Sequence, residues 1–504
     1  MRLEFQMVVG SINLLKGLRG PRLVVLLFAA LLGSTALPAQ EDLNRFTHAT
    51  NSDLPINSGF ALANPDLNQV GVFLIDQRQI HAYGLNQRLD VDRKIELIKQ
   101  KRTYDQIVGN LVNELGYSLF FNNRKEKAVT YLRFSFEQNG IDAKGDLSIN
   151  LKTEKLLAYF KYKGRLLMLT IDKKQPLFYF HLIDKDFQLE QHTVDASSLE
   201  LLGSSGREVS VERLLIHENA RITPIDLSGD NYPIGLTESS ANFKLYRQGD
   251  QLYLTLDHRY EETQMLVFDL DQYSLKQKAI AKPSLGESYT RPRSNSFLSK
   301  NVMAQIVQNK DSLAIRLTDI NTETETDVLN LSKEDDSSEM AFSQKKSWKE
   351  EEKALSTAQY FRKLKFNPLG ISLTENQAGY QLTFGSWNKS EESSAGSGAA
   401  AGVGAVFGGV VGALITYAIA EAVSPEFQSF SRFANGKTTY AKIGLSEDLT
   451  RTSTADVELN LFEKIDQFSK TQEKQLPLVL FKFDGKTVLG LWDPKYEVMS
   501  FHGF

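Results

Sequence analysis

The feature that most limits what this chain can become is a repeated local pattern. An alternating strand ends in Asp or Asn, a tight polar turn follows, and a second strand begins. It appears as His81-Ala-Tyr-Gly-Leu-Asn86, Phe178-Tyr-Phe-His-Leu-Ile-Asp184, Leu266-Val-Phe-Asp-Leu-Asp271 and Ala314-Ile-Arg-Leu-Thr-Asp319. Weaker copies lie at Tyr131–Glu137 and Ile222–Asp226. The marker positions 86, 137, 184, 226, 271 and 319 are 42 to 51 residues apart. That period is the length of a four-stranded propeller blade, a unit that buries its faces only against its neighbours. The Asx at the strand end has a local role, because its side chain can accept backbone N–H groups two residues on and set the turn. The expectation is a mainly β fold with six- or seven-bladed β-propeller-like repeats over 40–331.

Beyond the repeats, Ser332–Ser338 is charged and rich in small residues, and Ser347-Trp-Lys-Glu350 has capping-box spacing. Residues 332–366 therefore read as a charged linker and an amphipathic helix carrying Leu355, Ala358, Phe361 and Leu364, stopped by Asn367-Pro368. Residues 367–504 read as a C-terminal α+β region. It has a hairpin at 370–387, a strand at 438–444, a helix over 457–469 and strands at 478–483 and 488–492. Leu491-Trp-Asp493 repeats the blade texture, so the alternative for this region is an insertion plus a closing blade.

Within it lies a charge-free stretch, Ser393–Ala420. As a helix it would be on the order of 40 Å long, enough to cross a bilayer. Small residues recur every fourth position at Ala400, Gly404, Gly408, Gly412, Thr416 and Ala420, while Val403, Phe407, Val411 and Leu414 supply bulk around them. Such a stripe lets a second backbone approach closely. Over 396–420 this segment resembles the glycine-zipper segments of bacterial envelope proteins. The resemblance implies a Gly/Ala-rich apolar helix that inserts in a membrane or packs on a protein partner or a second copy through 399–420. Its helix-packing residues would be Gly404, Gly408, Gly412, Ala400 and Thr416. Arg432, Lys437 and Lys442 follow the stretch closely, and a stop-transfer helix with those flanks would leave 421–504 in the cytoplasm. The blade texture at Asp493 argues instead that both flanks share one compartment and that the stretch is an excursion.

Residues 1–39 read as a secretory signal: Arg2, Lys16, Arg19 and Arg22, then the short apolar core Leu23–Leu32, then Ser34–Ala39 with Gln40 as the new N-terminus. The chain contains no cysteine, which removes disulfides and thiolate metal sites and suits a bacterial cell-envelope protein, periplasmic or membrane-associated. A formal charge of −4 argues against a nucleic-acid partner.

No catalytic, metal or cofactor site emerges. Gly402-Val-Gly404-Ala-Val-Phe-Gly408 lacks the strand-turn-helix setting of a dinucleotide fingerprint. The seven histidines show no paired metal spacing, and Ser343-Gln-Lys-Lys346 sits in charged sequence. The Asp-x-Asp pairs at 90/92, 184/186 and 269/271 fit turn formation better than calcium binding. These features point to an exported protein of binding or scaffolding type rather than an enzyme. The alternative is a secreted propeller enzyme acting on polysaccharide or peptide, which would need convergent carboxylates or histidines over a central channel.

Overall fold

The computed structural model describes residues 41–504 except 49–53, 100–102, 105, 218–221, 228–231, 287–291, 336–339, 346–351, 377–378, 388–424, 453–458 and 473–474. Strand β1 (Glu41–Thr47) comes first in the chain but belongs to the last sheet. The first sheet is β2 (Ser58–Asn64), β3 (Gln69–Ile75), β4 (Gln79–Leu85) and β5 (Val91–Ile98). The second is β6 (Ile107–Asn113), β7 (Gly116–Asn123), β8 (Ala128–Ser135) and β9 (Gly140–Leu147). The third is β10 (Glu154–Tyr162), β11 (Arg165–Asp172), β12 (Leu177–Ile183) and β13 (Leu189–Asp195).

The fourth sheet has an extra inner strand. β14 (Ile222–Asp226) pairs parallel with β15 (Phe243–Gln248), followed by β16 (Gln251–Leu256), β17 (Glu262–Asp269) and β18 (Ser274–Ala281). The helical turn α1 (Leu236–Ser239) precedes β15. The fifth is β19 (Arg293–Ser299), β20 (Val302–Gln308), β21 (Ser312–Asp319) and β22 (Glu325–Ser332).

The sixth sheet is assembled out of chain order. β23 (Phe342–Lys345) and β24 (Lys353–Leu355) form its outer edge, helix α2 (Thr357–Leu364) follows, and β25 (Leu369–Asn376) and β26 (Gly379–Trp387) are innermost. Helix α3 (Pro425–Asn435) then leads into β27 (Thr438–Leu445), which pairs with both β26 and β23. Helix α4 (Leu461–Thr471) precedes the seventh sheet, β28 (Leu476–Phe483), β29 (Lys486–Asp493) and β30 (Val498–Gly503), whose fourth strand is β1. Among the described residues this makes seven sheets in a propeller-like ring.

In the first three sheets burial falls off outward, while in the fourth the extra inner strand β14 is largely accessible and β15 and β16 are buried. β2 is buried along nearly its whole length, whereas β5 exposes most of its side chains. Inner strands are covered on both faces by neighbouring sheets, so they read as continuous apolar runs, and outer strands alternate. In the first sheet Phe60 stacks on Phe73 at 4.6 Å, and Phe134 of the second sheet meets Phe73 edge-on at 5.3 Å. Gly84 leaves room for Phe136, whose ring would lie 2.7 Å from an added Cβ.

The Asx residues act as the sequence implies. Asp184 Oδ1 accepts from the N–H groups of Asp186 (2.9 Å) and Gln188 (2.8 Å), and Asp319 Oδ1 accepts from Asn321 and Thr322, both at 2.8 Å. In the fourth sheet the turn is held by Asp269, with Asp271 inside it. One marker differs: Asp226 ends the extra strand β14, whereas Asn86, Asp184, Asp269 and Asp319 close the third strands of their sheets. Residues 342–345 and 353–355, which the sequence places in a linker and helix, are edge strands of the sixth sheet. The capping box near there belongs to Ser356 and Gln359.

The ring closes where β1 lies antiparallel to β30, from Glu41 opposite Gly503 to Thr47 opposite Val498. His48 follows and is 2% exposed. Its N–H donates to Glu497 O (2.7 Å), its Nδ1 lies 2.6 Å from the Tyr83 hydroxyl, and its ring meets that of His81 at 4.8 Å. Burial first, then nearby His81 and Lys94, push its pKa down to about 4. The folded chain thus keeps His48 neutral while the unfolded chain protonates it near 6.5, so its contribution is present above that pH and is lost as pH falls towards 4. The full difference is about 3 kcal/mol. We expect the melting temperature to fall between pH 6.5 and 4, and to fall less steeply in His48→Phe, measured by thermal denaturation across that range. Equal slopes would show that His48 is not a controlling group.

Candidate binding site at the centre of the ring

The sixth and seventh sheets are joined through helices. Phe427, Phe430 and Ala434 fall on one face of α3, and Phe462 and Ile465 on one face of α4; together they cover Leu480, Leu489 and Leu491 of the seventh sheet. α4 starts at a reciprocal cap, with Asn460 Oδ1 accepting from Glu463 N–H (3.0 Å) and Glu463 Oε2 accepting from Asn460 N–H (2.9 Å). Lys345 of β23 binds α4 through Asp466 Oδ2 (3.1 Å) and sits 4.3 Å from the centre of the Phe433 ring. Burial pushes the Lys345 ammonium down, opposed by Asp466.

α3 also reaches the inner side of the fourth sheet. Glu238 of α1 is buried and accepts from Ser429 Oγ (2.8 Å) and Arg432 Nη1 (3.2 Å). Burial raises its pKa, and Arg432 works against that shift. Arg432, which resembles a membrane flank in the sequence, is thus spent in a buried ion pair, and Lys442 pairs with Glu463.

The inner strands bring together charges distant in sequence. Arg247 of β15 binds Asp226 of β14 through Nη2 (2.9 Å) and Nε (3.1 Å). Lys161 of β10 is accessible to water yet enclosed by protein at longer range. That enclosure pushes its ammonium below the usual lysine range, opposed by Glu426 at the start of α3 and by Asp226. No hydrogen bond to the Lys161 side chain occurs among the described residues. The candidate site is this inner face, with Lys161 as its available cation and Asp226, Arg247 and Glu426 around it. Beside it, between α1, α3 and the sixth sheet, lies a cavity of about 50 Å³ lined by Thr237, Tyr440 and Glu463, room for a few waters rather than a substrate. Burial raises the Tyr440 phenol, as does Glu352, which accepts its hydroxyl at 2.6 Å.

The histidines lie elsewhere. His81 Nε2 is 3.1 Å from Asp76 Oδ2 within the first sheet, His181 Nε2 is 2.9 Å from Glu154 Oε2 in the third, and His502 Nδ1 is 2.7 Å from Asp42 Oδ1 at the closing strand. Ala400, Gly404, Gly408, Gly412 and Thr416 lie outside the described residues. Among the described residues no helix is long and apolar enough to cross a membrane. Sequence reading missed Lys161. Its signal is a charge at an inner-strand position, between Phe160 and Tyr162, which are both buried.

No protein-family model and no curated protein matches the chain. Among solved structures, the Dos1 propeller aligns at 6% identity over 93% of this chain and 95% of its own, with a TM-score of 0.29. Apo AztD from Citrobacter koseri aligns at 11% identity over 54% of this chain, with a TM-score of 0.26, and the match spans 59% of its length. Hydrazine synthase of Kuenenia stuttgartiensis aligns at 9% identity over 67% of this chain and 79% of its own, with a TM-score of 0.28. At these values the ring rests on the chain's own strand pairing: seven sheets, the last completed by the first strand.

Proposed function

We propose that this is an exported cell-envelope protein of binding or scaffolding type, whose ring is a platform for an apolar segment at 399–420 that enters a membrane or packs on another helix. The observation that carries the reading is the pairing of β26 with β27, with Trp387 opposite Thr438. The chain leaves this sheet at Trp387 and is back in it at Thr438, so 388–424 is an excursion from one end of the sixth sheet. Both flanks then belong to one folded body on one side of any membrane. Cleavage after Ala39 would leave Gln40 directly before β1, the strand that closes the ring. At the centre of the ring, Arg247 is paired with Asp226 and Glu238 with Arg432, which leaves Lys161 as the charge open to a partner.

Glycine disfavours a helix in water by roughly 1 kcal/mol each, and lipid removes the competing hydrogen bonds to water. In this reading Gly404, Gly408 and Gly412, with Ala400 and Thr416, form the close-packing stripe. The test replaces 389–424 with a short Gly/Ser linker. The excised protein is expected to melt within a few degrees of the parent and to move from the membrane fraction to the soluble fraction of cell lysates. Loss of cooperative melting would show that the segment is part of the core. Unchanged fractionation would show that it is not the anchor.

A further inference from the structure

At the end of the ring where the innermost strands finish, the turns of the first two sheets enclose an open cleft of about 470 Å³. That is the size of a small-ligand pocket. Its apolar surface is Phe136, 5% exposed, together with Leu67 and Leu115, which are 39% and 36% exposed. Two large aliphatic side chains at turns are thus partly left in water in the same cleft as an aromatic ring.

The polar lining carries both signs, and two of its four charges are engaged elsewhere: Asp92 accepts from Asn86 Nδ2 at 3.3 Å, and Glu114 pairs with Lys185. Among the described residues, Arg93 uses its guanidinium only on its neighbour's carbonyl, Asp92 O, at 3.2 Å. Glu137 makes no hydrogen bond or ion pair among the described residues. The two are exposed, line one cleft and are not bonded to each other, so both keep their hydrogen-bonding capacity for a ligand.

The geometry points to a site for a small zwitterion with an apolar side chain, either a free amino acid or a short peptide. Its carboxylate would lie on Arg93, whose planar fork suits a carboxylate, its ammonium on Glu137, and its side chain against Phe136, Leu67 and Leu115. The cleft lining includes no residue of 388–424 and the proposal is independent of the membrane reading, so the protein lacking that segment should bind equally well.

The test is isothermal titration of the folded protein with leucine, Leu-Leu, N-acetyl-leucine and leucinamide. Saturable binding of leucine or Leu-Leu is expected, the tighter of the two naming the source. Both blocked analogues, each missing one charge, should bind about tenfold or more weakly. Arg93→Gln and Glu137→Gln should each lose about the same factor with unchanged circular dichroism and melting. The proposal is overturned if neither zwitterion binds up to about 10 mM, if the blocked analogues bind as well, or if both variants bind like the parent.

Discussion

Asp257→Ala is expected to lower the melting temperature by about 5 °C or more, a large shift for a chain of this length. Asp257 is fully buried between two buried lysines. Its Oδ2 lies 2.9 Å from Lys244 Nζ and its Oδ1 2.9 Å from Lys282 Nζ. Thr263 and Ser296 donate to the same two oxygens, at 2.9 and 2.8 Å. Burial alone would raise the Asp257 carboxyl, but the two ammoniums outweigh it and hold it well below the usual carboxylate range. Removing it leaves two buried ammoniums between the fourth and fifth sheets with only neutral partners, Ala241 O and Asn295 Oδ1 for Lys244 and Arg259 O and Ser294 Oγ for Lys282. Breaking a buried pair in this way costs about 3–5 kcal/mol, and here one loss strands two charges. Asn at the same position restores the shape but not the charge, so Asp257→Asn should recover only a minor part. Thermal denaturation of the two variants checks this; a shift within about 2 °C for Asp257→Ala would mean the lysines find water.

Deleting residues 41–48 is expected to have the second largest effect. It strips the fourth strand from the seventh sheet and bares the backbone edge of β30 over its whole length. It also removes Phe46, 9% exposed, from its contacts with Tyr83 (4.8 Å) and Phe501 (6.0 Å), and it removes the His48–Tyr83 hydrogen bond. Burial of one Phe is worth about 2–3 kcal/mol, and an uncovered strand edge is a template for aggregation. A lower, broader melting transition with concentration-dependent light scattering is the expected outcome. A sharp transition at the parent temperature would mean that the ring holds without its closing strand.

Much of the ring was legible because its signals are local. Alternation marks the strands, and Asx residues at strand ends set turns through their own backbone, as Asp184 and Asp319 do. The register of the fourth sheet was not. Ile222–Asp226 looks like the other marker strands, but it pairs parallel with β15, a partner that local pattern does not specify. The sixth sheet was hidden because its strands are drawn from 342–355, 369–387 and 438–445, with 388–424 between two paired neighbours. The candidate site was hidden for a related reason. Lys161, Asp226, Arg247 and Glu426 come from four separate elements: Asp226 and Arg247 meet across the parallel pair β14–β15, and the packing of β10 against β14 brings in Lys161. Arg432 shows how a signal can mislead, since next to an apolar stretch it mimics a membrane flank, while in the fold it is the partner of Glu238.

The central claim is that sequence on either side of 388–424 belongs to one ring in one compartment. Because the chain has no cysteine, single cysteines report sidedness cleanly. Lys125→Cys lies in the β7–β8 turn and Tyr496→Cys in the β29–β30 turn, and both native side chains are well exposed. Each variant, expressed in cells with an intact inner membrane, is treated with a membrane-impermeant maleimide before and after lysis. Both cysteines should label to the same extent before lysis. Labelling of Lys125→Cys alone, with Tyr496→Cys reached only after lysis, would place the two halves on opposite sides of the membrane and contradict the closed ring.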